Sequence, residues 1–428
     1  MAVAQAGQTT QSIDPRNTHA LDCVCLFSAD IGGGVGPYLA SFLRSTRHWD
    51  SAAIGIELSA LGLASMFTGI PAGAIIDRVK KKRYVVAIAA ACIGLSVLTL
   101  TLFNQFYTVL AAQIATGVAA SFLGSGIIAL SLGLVGRRQF ASRMGRNEAF
   151  THFGNVLSAI SMGALGSLIS HNWVFYIISI LAVATIISLT FIREGKAPVE
   201  SASVESGPSN TNVATNIEEQ SQASFLEVLQ DTNLIAFALS AFLFNLANGA
   251  MLPLAAQYLS DGAPRVAPAY TAACIVTAQA MMIPTALLTG KFAEKWGRKP
   301  VFAIAVVVLL IRGSLFALIA GNIISGGAGH VIAVQLLDGV SAGIFGVLAS
   351  VVIADIAGHT KHYNLARASV GTVQSVGGAL SFILAGNIVK ASGYGAGFAT
   401  LAIIALAAIL FFLTTVPETQ PNVCYIDS

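Results

Sequence analysis

Few ionisable side chains interrupt the long apolar runs of this sequence, and those few are its candidates for chemistry. Asp30 stands midway along the first run, followed by Gly32, Gly33, Gly34, Gly36 and Pro37. A carboxylate inside hydrocarbon is costly to leave charged, so such a group can take up and release a proton as its surroundings change. Substrate binding and a structural hydrogen bond within a kinked, glycine-rich helix are the alternatives. Asp22, eight residues earlier, falls about 12 Å nearer the start of the run, at the membrane interface. Arg312 and Asp338 stand at matching depths in two later runs, each about 12 Å from one surface. Either they neutralise each other, or Asp338 is left exposed for proton coupling or substrate binding. Glu57, about a turn inside its run, reads as a hydrated helix end.

The other polar side chains in the runs are mostly neutral amides: Gln113, Asn155, Asn245, Asn248, Gln279, Gln335 and Gln374. They could line an uncharged cavity suited to moderately polar or amphipathic organic solutes, or bond between helices without touching solute. Polyanions would need Arg or Lys near the midplane. No cluster of nucleophile, base and oxyanion donors stands out, so an enzyme is not expected. No GxxxxGK[ST] loop marks direct ATP drive. The five cysteines have no metal-ligand spacing, so neither a metal nor another cofactor is expected.

These positions must be held by membrane helices. A chain of 428 residues that is 55% hydrophobic and only 10% charged, with mean hydropathy +0.76, is too apolar for a soluble globular protein. Twelve segments can cross about 30 Å of hydrocarbon: residues 20–43, 53–75, 84–102, 106–135, 147–170, 173–192, 233–259, 269–289, 300–320, 330–357, 366–390 and 394–416. Eighteen of the 23 Lys and Arg fall in one set of connecting segments and four in the other. This asymmetry predicts an integral multi-pass protein of the cell membrane with both termini cytoplasmic. The basic loops are short and joined to spans, which argues against a nucleic-acid surface. The first twenty residues hold one Arg and no apolar core, so no cleaved signal peptide is expected. Residues 193–225 are polar and read as a disordered cytoplasmic linker between bundles at 20–192 and 226–416, with tails at 1–19 and 417–428.

The two halves repeat each other. Residues 73–83, with Gly73, Asp77 and Arg78, recur 217 positions later at 290–300, with Gly290, Glu294 and Arg298. Residues 112–120 match 334–342, 37–40 echo 253–256, and 153–156 echo 370–373. Six crossings per half make these parallel repeats, an arrangement of secondary transporters. The spacings Gly32 to Gly36, Gly69 to Gly73 and Gly339 to Gly343 fit close helix contacts.

On these motifs the chain resembles the major facilitator superfamily of secondary transporters, over nearly its whole length outside termini and linker. That family's loop between helices 2 and 3 runs glycine, three residues, acid, Arg, any residue, Gly, Arg, then Lys or Arg. The second copy here follows it with Lys295 for the first Arg, and the first copy has Lys80 where the family has glycine. Gln113 stands where the family usually has Arg, and segment 5 lacks the Gly-Pro pair of its antiporters. The resemblance implies an all-α fold of twelve transmembrane helices in two pseudo-symmetric six-helix bundles, functioning as a monomer. It also implies a cytoplasmic gate, with Asp77 meeting the start of segment 11 and Glu294 the start of segment 5. Asp30 with an amide-lined cavity is similar to the family's drug/proton antiporters, which favours proton-coupled efflux of a small organic solute. Uptake of a polar metabolite and a non-transporting sensor are the alternatives.

Overall fold

The computed structural model describes residues 15–31, 35–103, 105–193, 231–357 and 363–419. Among them the chain is helical, with no strand. The linker, except Arg193, and most of both tails lie outside the described residues. In hydrocarbon every backbone N–H and C=O must be bonded within the chain, a requirement that helices of about 20 residues meet. Nine helical stretches among the described residues are long and apolar enough to cross a membrane, and one of them, Ala366–Thr415, is long enough for two crossings.

Segments 2, 3, 6, 8, 9 and 10 are the helices Ser51–Arg78, Lys82–Leu102, Trp173–Thr190, Ala267–Trp296, Arg298–Ala320 and Ala328–Ala357. Segment 1 is broken into Pro15–Ser28 and Val35–Ser45, and segment 7 into Thr232–Asn248 and Met251–Gly262. Segments 4 and 5 share the stretch Phe106–Leu168, which turns at Gly136; segments 11 and 12 share Tyr363–Thr415, which turns at Gly393. Both glycines have left-handed φ, 68° and 83°, where a side chain would be strained. Helix starts are capped locally: the Asp50 carboxylate accepts from Ala53 N–H at 2.9 Å, and Asp231 from Asn233 N–H at 2.9 Å. Such caps satisfy donors that have no partner inside the helix.

Two hydrophobic cores form, one drawn from residues Ala20 to Ile192 with Ala272, the other from Leu234 to Val416. Segment 2 packs on segment 11, segment 5 on segment 8, and Val35–Ser45 on Met251–Gly262, joining the halves. The repeat is visible in matched close approaches. Gly117 abuts the Leu61 carbonyl and Ala64, and Gly339 abuts the Ala278 carbonyl and Met281. Gly154 abuts the Leu26 carbonyl as Gly377 abuts that of Phe242, and Gly163 meets Pro268 as Gly386 meets Ser51. These last pairs correct the expected echo of 153–156 with 370–373. Packing equates Gly154 with Gly377, six residues further on, because backbone approach and not local residue likeness fixes the register. Of the expected glycine contacts, Gly339 and Gly343 press on segment 8, whereas a Cβ at Gly69 or Gly73 would meet no other helix within 4 Å.

Candidate functional site

The described bonds between the halves gather on the side opposite the termini, hereafter the far side. Arg44, ending segment 1, grips Asp261, ending segment 7, through Nε to Oδ1 at 2.7 Å and Nη2 to Oδ2 at 2.8 Å. Tyr394 donates its hydroxyl to the same carboxylate at 3.0 Å. Ser51 donates to Gln257 at 2.8 Å inside the seam, and Lys390 reaches Asp50 at 3.1 Å on its rim. The Ala53 N–H, and then Lys390, hold the Asp50 carboxyl below its ordinary range. Beneath these bonds, segments 2 and 11 come so close that a Cβ at Gly55 would collide with the Phe382 carbonyl. The far side is therefore shut by short polar bonds over tight backbone packing.

Below the seal lies Asp30, in the turn that breaks segment 1. It is buried and has no hydrogen bond or ion pair among the described residues. Ala29 touches the position of Gly154, which puts Asp30 beside the adjoining turn of segment 5. Asn155 follows Gly154 there, half-buried, with its side-chain oxygen lacking a partner. Segments 5 and 8 run antiparallel with Gly163 against Ala272 and Gly166 against Pro268. Continuing that register inward brings Gln279 level with Asn155, and the Gln279 side-chain oxygen is likewise unpartnered. One acid and two unsatisfied amides thus share a level where the halves meet. Buried polar groups are ordinarily bonded, so unsatisfied ones mark a place for a ligand or water. Gln374 is half-buried on segment 11, and Asn245 bonds back to the Ala241 carbonyl at 2.9 Å.

Other amides expected on a cavity wall serve elsewhere. Arg312 is sealed inside the C-terminal bundle, with Asn248 accepting from Nη1 at 2.6 Å, Gln335 from Nη2 at 2.7 Å, and Asp338 at 2.8 Å from Nη1. Gln335 and Asn248 are consumed in solvating this guanidinium, which hydrocarbon would otherwise leave bare. Gln113 is buried inside the N-terminal bundle. The set that faces the junction is therefore smaller than the sequence implied.

On the terminal side the described ion pairs stay within one half. Asp22, expected at an interface, is buried between Arg143, 2.7 Å away, and Arg146, whose Nε donates at 2.9 Å. Arg298 reaches Asp355 at 3.2 Å and donates to the Ala293 carbonyl at 2.7 Å, while Glu418 accepts from its backbone N–H. Gly73 is half-buried, and Arg78, Gly290 and Glu294 are exposed. The Asp77 side chain lies outside the described residues. Glu57, expected to be hydrated, is 0% exposed. Sequence reading also missed Arg44 and Asp261, although a signal was present: they lie 217 positions apart, the offset of the repeated basic loop. Repeat-related residues near a pseudo-twofold axis meet each other.

The family model of the Major Facilitator Superfamily matches residues 23–322 and 234–423. Two uncharacterised MFS-type transporters of Mycobacterium tuberculosis, MT2531 in strain CDC 1551 / Oshkosh and Rv2456c in strain H37Rv, are each 35% identical to this chain over 413 residues, covering 96% of both partners. Among solved structures, the nucleoside transporter NupG shares the fold with TM-score 0.70 and 16% identity, over 92% of this chain and 97% of that one. A POT family transporter in complex with a thioalcohol-conjugated peptide gives TM-score 0.75 at 12% identity, over 95% and 97%. A bacterial homologue of the human lysosomal transporter Spinster gives 0.68 at 13% identity, over 95% and 96%. With two helical halves related by a repeat, a seal at their junction and these matches along its length, the chain belongs to the major facilitator superfamily and is a membrane transporter.

Proposed function

We propose that this transporter moves a small, moderately polar organic solute out of the cell in exchange for protons, with Asp30 as the proton carrier. The bundles at 20–192 and 226–416 rock as bodies about the junction of segments 1, 2, 5, 7, 8 and 11, joined by the tether at 193–225. The terminal side is the cytoplasm, in keeping with its basic loops. The observation that carries the reading is the buried, unpartnered Asp30 at a helix break, level with the unsatisfied Asn155 and Gln279. An acid so placed holds a proton while sheltered and can lose it when water or a solute reaches it. Neutral amides fit hydroxyl and carbonyl groups of a solute better than phosphates.

In this reading the far-side seal is one gate, and the repeated basic loops form the other. When the terminal side closes, Asp77 and Glu294 meet helix starts of the opposite half, with Gly73, Arg78, Gly290 and Arg298 shaping the loops. The seal suits a cycle because its two ion pairs, Arg44 with Asp261 and Lys390 with Asp50, are partly solvated and breakable.

The test is a solute screen with protein reconstituted in liposomes loaded with a pH dye, comparing wild type with Asp30→Asn. Solute-triggered proton movement that the variant loses is expected. Solute flux without proton movement, equal in both proteins, would leave Asp30 a structural residue and discard the coupling. Resistance of an overexpressing strain to a toxic-compound panel is the expected sign of export; growth rescue on a sole nutrient would reverse the direction.

A further inference from the structure

Glu57 occupies the second turn of segment 2, is wholly buried, and neither of its carboxylate oxygens has a hydrogen-bond partner. The repeat shows what it faces. Leu61 and Ala64 against Gly117 correspond to Ala278 and Met281 against Gly339, so Glu57 takes the place of Cys274 and Gln113 that of Gln335. Cys274 lies against Gln335, in the field of Arg312 and Asp338. Gly94 packs on Ala182 as Gly313 packs on Ala402, which puts Ile93 where the second half has Arg312. Thr116 likewise stands in the place of Asp338. The N-terminal bundle therefore repeats the polar pocket of its partner with an acid and an amide, but without the cation.

We infer that Glu57, backed by Gln113, is a second proton-binding site, inside the N-terminal bundle, whose proton ties closure of the far side to pH. The charged and titratable groups on the elements packed against segment 2 are few. The Val35–Ser45 half of segment 1, which packs on segment 2, carries Tyr38 and Arg44, with Asp30 just before it. Arg44 is engaged with Asp261, and Asp22, further back, with Arg143 and Arg146. Segment 11 carries Arg367 at its terminal-side end, bonded to Ser350, and Lys390, engaged with Asp50, which caps segment 2 itself. Segment 4 presents neutral Gln113 and Thr116, with Tyr107 at its far end. None of these forms an ion pair with Glu57. A carboxylate charge sealed there would have nothing to balance it, so the pocket stays shut only while the group holds a proton.

The opposite face of the same helix builds the seal, where Gly55 meets Phe382 and Gly386 meets Ser51. Losing the proton to far-side water leaves a carboxylate that must be hydrated, which requires the far end of segment 2 to shift within its bundle. Any shift there breaks the close register of Gly55 on Phe382 and of Ser51 on Gly386. Protonation thus favours the shut far side and proton release the open one. The inference does not rest on Asp30 or on any solute.

The test uses the full-length protein in lipid, followed by infrared spectroscopy of carboxylic C=O bands at neutral pH. Wild type should show a protonated-acid band that E57Q loses and D30N keeps. A band unchanged in E57Q, or none in wild type, would overturn the site. In a background lacking the native cysteines, labelling of a far-side Ala256→Cys is divided by the rate at a permanently exposed cysteine, so that thiolate ionisation cancels. The ratio should rise with pH while Glu57 is present and respond less in E57Q; an identical pH response would overturn the link to closure. Should E57Q not fold, Gln113→Leu must shift the wild-type band, and an unmoved band would count against the pocket.

Discussion

Asp261→Ala should open the far side. The replaced carboxylate receives two parallel bonds from Arg44, at 2.7 and 2.8 Å, and one from Tyr394 at 3.0 Å. Their side chains are 31% and 36% exposed for Arg44 and Asp261, so water competes for both ions. Fully exposed pairs contribute about 0.2–1 kcal/mol and charged hydrogen bonds up to about 3, with bidentate geometry at the strong end. Partial exposure places this latch at about 1–2 kcal/mol, or roughly a 5- to 30-fold change in the ratio of shut to open far side. The assay is the rate of maleimide labelling at Ala256→Cys, a fully buried position on segment 7, in a background lacking the native cysteines. When the open state is the minor one, that rate follows its population and should rise by the same factor. Raising salt from about 0.1 to 1 M shortens the screening length from about 10 to 3 Å, so wild type should move toward the variant. Unchanged labelling in Asp261→Ala, or a salt response that the variant keeps in full, would show that the latch does not hold the far side shut.

Two further perturbations test the packing beneath. Arg312→Met or Asp338→Asn alone should each cost about 3–5 kcal/mol, because each strands a buried charge, while the double variant should lose clearly less. Thermal unfolding in detergent measures this, and additive losses would dissolve the pair. Gly55→Ala should force segments 2 and 11 apart at Phe382, cost about 1–3 kcal/mol, and quicken labelling at Ala256→Cys; a variant that labels like wild type would mean the contact bears no load.

Composition and the placement of Lys and Arg already determined that this chain spans a membrane many times and repeats itself once, because hydrocarbon admits only long apolar helices and penalises charge. Gly73 to Arg78 and their copy at Gly290 to Arg298 pointed to the family without any contact being known. Asp30, Arg312 and Asp338 could be singled out for the same reason, since an ionisable group in an apolar run is rare and costly. Tertiary structure decided which of them have partners. Whether an amide faces a cavity or solvates an ion depends on helix rotation, and strongly apolar helices carry almost no amphipathic pattern from which rotation can be read. Gln335 and Asn248 therefore turned out to hold Arg312, and Asn155 and Gln279 to face the junction. Arg44 and Asp261 looked like ordinary loop charges until the pseudo-twofold brought repeat mates together. Depth along the helix put Glu57 near water, but burial is a property of the neighbours, and segment 4 with its bundle closes over it.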